Sequence, residues 1–535
     1  MRNEKVYLKP NIQLEPLIDQ WYAWSHLISP ATAAKNISER HLKIMDSYIS
    51  APQIHANAVN NPKLLGGPFI DYGGKRVDEI RGLSKHTKVV RSQMIELSTA
   101  LADLDRLLNV SAKGFSLHSL YPQVPEILRG YVELVYDLSN NPSYRLIEPL
   151  LYQSRFYDDS VQSVMLSLIG KDHRPFALST PRLEGDDCVH LRLPLADERL
   201  DWLFQLKRAP KLWTEIRSWF DIPERSESLF ASFFTPEPPP PYEPYCGEGV
   251  RWRYFGHACI LIETHDTSIL VDPVLSYDYE SDIPRYTYAD LPEKIDYVLI
   301  THSHQDHVLL ETLLQLRHEI GTLVVPRNAF GLLQDPSLRL MFQRLNFKNV
   351  IEISELDRMN IPGGFIMGLP FFGEHSDLTI GTKLAHLVRI GRYSLLFAVD
   401  SCNVEPRLYE HLQKLIGETD VIFIGMECEG APFSWLYGPL LAQRMERAMD
   451  ESRRLSGSNC DQALSIINQL HCKQVYVYAM GQEPWLNYVM SVKYTPESRP
   501  IVESEKLIKE CLSRHIYAER LFGKKEILVE EAIAS

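Results

Sequence analysis

The fold assignment rests on one stretch of the chain, Leu299-Ile300-Thr301-His302-Ser303-His304-Gln305-Asp306-His307. It carries three imidazoles and one carboxylate within six residues, and its apolar start is typical of a strand that ends and leads into a helix. Side chains alternate along an extended segment, so His302 and His304 are expected on one side. Asp306 and His307 begin the next turn and can address a second ion. The stretch therefore predicts a metal site; the alternative is a polar loop with exposed histidines.

The sequence around this stretch alternates short β-branched or aromatic runs with helical segments. Helices are predicted at 308–319 and 442–455. Strands are predicted at 250–255, 258–263, 268–271, 297–301, 322–325, 393–398, 421–424 and 474–478. The first three strands follow one another with only short turns, which excludes a simple parallel βαβ order and indicates a layered α/β domain.

The strongest break in composition is the proline-rich run 235–244, where fixed φ angles and missing N–H donors disfavour helix and central strand alike. We predict a mainly helical domain over 1–235, a linker over 236–247 and the metal-binding domain over 248–535. In the first half, 41–58, 75–108 and 125–138 have apolar residues at about helical spacing. This half has no catalytic signature.

Composition and charge narrow the function classes. The net charge of -13 argues against nonspecific binding to nucleic acid or anionic membranes, which requires a basic face. The sequence lacks an apolar run of about 18 residues and a signal-peptide core at its start, so we expect a cytoplasmic protein without a membrane partner. Eight cysteines without CxxC spacing are expected to be reduced.

The HxHxDH motif, together with Gly256-His257-Ala258 and the strand end Ile269-Leu270-Val271-Asp272-Pro273, resembles the metallo-β-lactamase superfamily. The resemblance covers about residues 248 to 490. It implies an αββα sandwich, here preceded by a mainly helical α+β domain, with a two-metal site at the sheet edges. Most members of the superfamily are hydrolases.

Two further segments distinguish between branches of that superfamily. Phe371-Phe372-Gly373-Glu374-His375-Ser376-Asp377 lies where the hydrolases supply a third histidine, and Asp400 has the context of their bridging aspartate. Where a closing histidine is expected, the chain reads Ala479-Met480-Gly481-Gln482-Glu483-Pro484-Trp485. This altered pattern resembles the family of the two-iron β-hydroxylase of the chloramphenicol pathway, including an N-terminal domain of comparable size.

The resemblance to that family implies a ligand set and catalytic roles for Glu374 and Asp400. Glu374 takes the place of the hydrolases' histidine, with His375 as the rival ligand, and Asp400 bridges the two ions. The implied metal ligands are His302, His304 and Glu374 on one iron, Asp306 and His307 on the other, and Asp400 between them.

The physical sense of the ligand set that the resemblance implies can be stated from its charges. Three carboxylates bring three negative charges to a pair of ions that carries four positive charges when ferrous and six when ferric. The carboxylates therefore stabilise the oxidised state, and oxygen-rich mixed ligation suits iron or manganese, whereas a site dominated by imidazole suits zinc. Zinc, moreover, cannot change its oxidation state.

The resemblance further implies O2-dependent β-hydroxylation of an aminoacyl group held on a nonribosomal peptide synthetase carrier domain, in antibiotic biosynthesis. O2 would be the co-substrate and electrons would come from a separate reductase, because the sequence has no GxGxxG loop with a suitably spaced acid. For the N-terminal domain the resemblance suggests carrier docking or formation of a homodimer.

Two other functions stay open at this point: a dizinc hydrolase of a phosphodiester, lactone or thioester, and a noncatalytic binding module. Several residues outside the six are weaker candidates for supporting roles, with packing as the alternative for each. They are Glu427, Glu429 and His257 beside the ligands, His471 before the last predicted strand, and Trp435, Tyr437 and Trp485 along an access channel.

Overall fold

The computed structural model describes residues 4–529. The strands are β1 (Lys5–Leu8), β2 (Ile12–Ile18), β3 (Trp21–Tyr22), β4 (Val132–Tyr136), β5 (Pro142–Leu146), β6 (Gln162–Leu168), β7 (Cys188–Leu191), β8 (Lys211–Leu212), β9 (Phe234–Thr235), β10 (Val250–Gly256), β11 (Cys259–Glu263), β12 (Ser268–Val271), β13 (Ile295–Leu299), β14 (Ile320–Pro326), β15 (Val350–Ile353), β16 (Arg358–Ile361), β17 (Gly364–Leu369), β18 (Ala385–Ile390), β19 (Tyr393–Val399), β20 (Val421–Gly425), β21 (Gln474–Tyr478), β22 (Tyr517–Arg520) and β23 (Lys525–Val529).

The α-helices connect and flank these strands. They are α1 (Ser25–Ile28), α2 (Pro30–Asn36), α3 (Leu42–Ser50), α4 (Pro52–Val59), α5 (Val77–Val90), α6 (Ser92–Ser111), α7 (Glu148–Leu151), α8 (Glu198–Gln205), α9 (Trp213–Trp219), α10 (Glu224–Ser232), α11 (Leu310–Leu316), α12 (Leu338–Arg344), α13 (Arg407–Ile416), α14 (Phe433–Tyr437), α15 (Arg447–Ser452), α16 (Cys460–Gln469), α17 (Asn487–Met490) and α18 (Arg499–Ser513).

The N-terminal part, up to β9, is an α+β unit. Its largest sheet has the order β3-β2-β6-β7, and α2, α3, α5 and α6 pack with one another beside it. The helical predictions for 41–58 and 75–108 correspond to helix pairs that break at Ala51 and Arg91. The helix predicted at 125–138 is wrong over β4, because Val132 and Leu134 alternate into the core and the strand pairs with β5.

The C-terminal part confirms the αββα sandwich predicted from the sequence. Two seven-stranded sheets, β15-β14-β13-β12-β11-β10-β23 and β16-β17-β18-β19-β20-β21-β22, face each other. A core cluster that includes Trp252, Phe397 and Phe423 fills the space between them. The cluster on the outer face of the second sheet includes residues of α13, α16 and α18.

Several elements of the sandwich differ from the sequence prediction. The structure adds β15 to β18, β22 and β23, which mostly have one exposed face and a weak alternation of apolar residues. The helix predicted at 442–455 is reduced to α15, whose residues are exposed or half-buried. Because this segment has no apolar face to bury, packing against the rest of the protein does not stabilise a longer helix.

The two parts share a continuous hydrophobic core that runs from the N-terminal sheet and helices to β11 to β14 and α11. A buried ionic network crosses the same interface: Arg174 bonds both Glu311 and Glu15, and Arg182 bonds Glu15. Residues 236–249 join the parts without helix or strand. The N-terminal part is therefore packed against the metal-binding part rather than tethered to it.

Across residues 4–529, the structure has no helix that is both long enough and apolar enough to span a membrane.

Candidate metal centre

The histidine-rich stretch leaves the sheet at the carboxyl end of β13 and closes a tight turn before α11. His307 N and Val308 N both donate to His304 O, at 3.2 and 2.9 Å. This turn brings Asp306 and His307 back beside His302. The local structure is the one predicted, an extended pair of histidines followed by a turn.

Asp400 follows β19 of the second sheet, and its carboxylate lies between His302 and His307. Its Oδ2 is 3.1 Å from His307 Nε2 and 3.6 Å from His302 Nε2. A register shift between Phe397 and Val399 bends the end of β19, as a β-bulge does when it re-aims a side chain. Gly425 on β20 leaves room for this carboxylate, since a Cβ there would meet Asp400 Oδ1 at 2.5 Å.

Glu374 and His375 lie on the loop after β17, and the structure brings both close to His304. Glu374 Oε1 is 3.3 Å from His304 Nδ1. The His375 ring stacks on the His304 ring with centroids 4.4 Å apart, and neither of its ring nitrogens has a hydrogen-bond partner among the described residues. The carboxylate of Glu374 therefore lies at the Nδ1 edge of the His304 ring, and the imidazole of His375 lies against the face of that ring.

The donor set fits a pair of cations. His302 Nε2 and Asp400 Oδ1 are buried without a hydrogen-bond partner among the described residues, and both belong to the cluster. Unsatisfied buried donors and acceptors are costly, so a bound cation is the natural partner for these atoms. His302, His307 and Asp400 offer ligand atoms within 4.8 Å of one another, as do His257, Asp306 and His307.

The electrostatics of the cluster favour positive charge. Burial disfavours the charged form of His307, yet the carboxylates of Asp306, Asp400 and Asp272 outweigh it and raise the His307 pKa well above its ordinary value. Burial lowers the pKa of His304 to about 4. Burial, aided by the charge of Asp400, raises the pKa of Glu374. A site that attracts a proton between three carboxylates is one that attracts a metal ion.

Asp272 is a functional residue for which the sequence analysis predicted no role. It follows β12, and its Oδ2 accepts hydrogen bonds from His307 Nδ1 at 2.8 Å and Thr301 Oγ1 at 2.5 Å. These contacts fix the His307 tautomer with Nε2 directed at Asp400. The available signal was an aspartate directly after a buried strand next to β13, since adjacent parallel strands end at the same sheet edge.

Two of the weaker candidates contact the predicted ligands. Tyr437 Oη lies 3.2 Å from His304 Nε2, which leaves His304 Nδ1 facing Glu374. His257 Nε2 lies 3.1 Å from Asp306 Oδ2. Both residues are buried and each contacts a predicted ligand side chain, and His257 is also close enough to be a ligand itself.

The other weaker candidates are spread around the centre. Glu427, Glu429 and Trp435 line the cavity that contains His304 and Asp400. Burial raises the pKa of Glu427 to about 8, with the charge of Asp400 as the next cause. Trp485 packs under Arg285, and His471 is exposed just after α16, at the start of β21 rather than at its metal-facing end.

The cavity above the centre has a volume of about 560 Å³. Its inner end is formed by His304, Asp306, Glu374 and Asp400. Its outer wall comes from the N-terminal part, residues 63–69, and from residues 489–492 and 494 of the C-terminal part. Both parts of the chain therefore build the space in which a substrate would meet the metals.

Comparisons with known proteins agree with this architecture. Residues 7–238 match the family model "Diiron non-heme beta-hydroxylase N-terminal domain", and residues 251–426 match "Beta-lactamase superfamily domain". The chain is 40% identical over 527 residues to the 4-amino-L-phenylalanyl-[CmlP-peptidyl-carrier-protein] 3-hydroxylase of Streptomyces venezuelae, covering 97% of this chain and 99% of that protein. It superposes on the crystal structure of CmlA, a diiron β-hydroxylase from S. venezuelae, with a TM-score of 0.92 and 39% identity over 98% of this chain and 100% of that one.

A shorter similarity concerns the β-lactamase part alone. The UPF0173 protein PYRAB01190 of Pyrococcus abyssi is 46% identical over 54 residues, which cover 10% of this chain and 21% of that protein.

The fold and the candidate metal centre place this chain in the class of metalloproteins with a metallo-β-lactamase fold, here preceded by an N-terminal part. Within that class the chain belongs to the diiron non-heme β-hydroxylase family. It is an enzyme of the β-hydroxylase branch, and this membership favours the hydroxylase interpretation of the sequence over the zinc hydrolase.

Proposed function

We propose that this enzyme uses O2 to hydroxylate the β-carbon of an aminoacyl group held as a thioester on a nonribosomal peptide synthetase carrier domain. The observation that carries the proposal is the end-to-end similarity to a relative named as a hydroxylase of a carrier-bound aminoacyl group. The buried cluster of imidazoles and carboxylates in a shared cavity supports it.

In this proposal the six side chains predicted from the sequence are the metal ligands. His304 binds through Nδ1, because its Nε2 contacts Tyr437, and His307 binds through Nε2, because its Nδ1 contacts Asp272. His302, Glu374 and Asp306 complete the two coordination spheres. Asp400 bridges them, as its position between His302 and His307 suggests.

When bound, the iron pair supplies the redox chemistry that activates O2 for insertion into a C–H bond. One oxygen atom becomes the hydroxyl group and the other leaves as water, which requires two electrons and two protons from outside. A separate reductase is the proposed electron source. The protein's own contribution is to orient the ligands through Asp272, Tyr437 and His257 and to exclude bulk water with the cavity walls.

The carrier-bound form suits the cavity better than the free amino acid does. A thioester-linked aminoacyl group keeps its ammonium but has lost its carboxylate, and Glu429 lines the cavity besides the carboxylates of the proposed metal ligands. The carrier arm also adds binding energy that can position the reacting carbon. The homodimer and the cytoplasmic location stay predictions.

The test is mass spectrometry of aminoacyl carrier domains incubated with the reduced enzyme and O2, beside the corresponding free amino acids. We expect the carrier-bound group to gain one oxygen atom and the free amino acid to react at least about a hundredfold more slowly in kcat/KM. Equal turnover of both forms would remove the carrier from the proposal. Release of an unmodified amino acid from the carrier would indicate a hydrolase instead.

A further inference from the structure

We infer that the carrier domain docks on the rim of the metal cavity, a surface defined here by Lys63, Leu64, Leu65, Val492 and Lys493. This inference rests on the proposed function and adds the place where the partner binds. Lys63, Leu64, Leu65 and Val492 line the cavity that reaches the predicted metal ligands. Lys493 lines an adjoining cavity of about 400 Å³ that shares Leu64, Leu65 and Val492 with it.

The size of the cavity restricts what can enter. A volume of about 560 Å³ accommodates an aminoacyl group and part of an extended arm, but not a folded domain. A macromolecular substrate must therefore stay outside and send only its arm to the metals. The surface that surrounds the opening is where its folded part would rest.

The rim has the chemistry of a protein interface. Leu64 and Leu65 are exposed by 41% and 37%, next to one another and at the cavity mouth. Exposed apolar side chains at a functional opening are typical of interaction sites rather than of general surface. They offer apolar contact to a partner whose arm lies in the cavity.

The charge of the rim selects an anionic partner. Lys63 and Lys493 are exposed and form no ion pair with any residue in the described range 4–529. In a chain of net charge -13, two unpaired ammonium groups beside the opening complement the phosphodiester of a phosphopantetheine arm and acidic residues around its attachment serine.

The rim is also anchored to the catalytic part of the chain. Trp435 Nε1 donates to Gly66 O at 2.8 Å, and the Trp435 ring lies 5.9 Å from that of Phe176. Gly66 has a φ of +73°, and a Cβ at this position would meet Trp435 Nε1 at 2.9 Å. This close approach holds the segment bearing Lys63 to Leu65 over the cavity mouth, so docking there places the arm at the opening.

The test is the steady-state hydroxylation of an aminoacylated carrier domain, the CmlP carrier loaded with 4-amino-L-phenylalanine, by the iron-loaded Lys63→Glu/Lys493→Glu double variant. We expect KM to rise at least about tenfold while kcat stays within about twofold, because charge reversal at a rim acts on encounter and affinity. The wild-type KM should also rise with ionic strength, and that dependence should weaken in the variant.

The matched control is the Lys414→Glu/Lys473→Glu double variant, which makes the same change of net charge at exposed lysines that line none of the cavities around the metal centre. It should leave KM unchanged. Equal KM values for wild type and the rim variant would overturn the inference, and so would an equal rise in the control. Failure of the proposed function would look different: the wild-type enzyme would not hydroxylate the carrier-bound group at all.

Discussion

Glu374 places a carboxylate oxygen 3.3 Å from Nδ1 of His304, a predicted metal ligand, where hydrolases of this fold are expected to place a histidine. A carboxylate contributes a negative charge that an imidazole lacks. Because the attraction scales with metal charge, that extra charge stabilises ferric ions more than ferrous ions. In the proposed ligand set, this single position therefore shifts the metal pair toward redox chemistry.

We predict that Glu374→His retains two metal ions but shifts their preference toward zinc and abolishes hydroxylation. The imidazole restores a nitrogen-rich set that suits zinc, and loss of the charge raises the reduction potential of any iron pair that forms. Metal analysis after competition between ferrous and zinc ions, together with the hydroxylation assay, measures both effects.

His375→Ala is the control for this substitution, because His375 stacks on His304 without a hydrogen-bond partner among the described residues. It should keep both iron and activity. If Glu374→His hydroxylated normally and His375→Ala lost iron, the ligand at this position would be His375.

At this scale, the sequence predicted that the six proposed ligands lie close together, and the structure brings them into one buried cluster; that they bind iron stays a prediction. The supporting contacts of Asp272 and Tyr437 could not be predicted, since they bring together residues 35 and 133 positions from their partners in sequence. The sequence marks at most the strand-end position of Asp272 and the candidate Tyr437; their pairing with His307 and His304 comes from the fold.

At the scale of secondary-structure elements, the two sheets present equivalent strand ends to the centre. β12 runs antiparallel to β11 and parallel to β13, and β19 runs antiparallel to β18 and parallel to β20. Asp272 follows the first of these strands and Asp400 the second. In the proposed centre, Asp400 is the bridging ligand and Asp272 orients His307.

We predict that Asp272→Asn weakens binding of the second metal about 10- to 100-fold, measured by titrating the metal-free enzyme with ferrous iron. An amide nitrogen in place of Oδ2 cannot accept the hydrogen bonds from His307 and Thr301. Asp420→Asn is the matched control: its carboxylate accepts hydrogen bonds from Ser394 N and Oγ, away from the centre. Equal metal affinity in wild type and Asp272→Asn would contradict the orienting role.

The elements that the sequence predicted best are the buried strands of the sandwich, such as β12 and β21, whose apolar runs are continuous. The elements it missed, such as β16 and β22, are half-exposed and depend on pairing with distant strands. In β4, tertiary pairing prevailed over a pattern that resembled helical spacing.

At the scale of the whole molecule, the buried ionic network joins the N-terminal part to α11, the helix that follows the metal-binding turn. Glu15 on β2 accepts hydrogen bonds from Arg182 Nε at 2.8 Å and Arg174 Nη2 at 2.7 Å. Burial disfavours its charge, but these two guanidinium groups outweigh burial and lower the Glu15 pKa to about 2. The carboxylate is therefore charged in the folded protein and stabilises the interface.

We predict that Glu15→Gln lowers the free energy of unfolding by about 3 kcal/mol at pH 7, from the difference between the pKa of 4.5 in the unfolded chain and about 2 in the fold. A lowered pKa gives stability that is complete above pH 4.5 and is lost as the pH falls toward 2. Urea unfolding of both proteins should therefore show a gap that narrows below pH 4.5. Glu133→Gln, which removes an exposed pair with Arg145, should cost less than about 1 kcal/mol.

The central claim is that side chains of this chain hold two irons and that Asp400 bridges them. It is tested most directly by counting iron per chain and recording the optical spectrum of the oxidised protein, for wild type and for Asp400→Ala. We predict about two irons per wild-type chain with the absorption of a bridged diferric pair, and loss of that absorption with at most one iron in Asp400→Ala. A full two-iron spectrum in Asp400→Ala, or a colourless wild-type protein that prefers two zinc ions, would contradict the account.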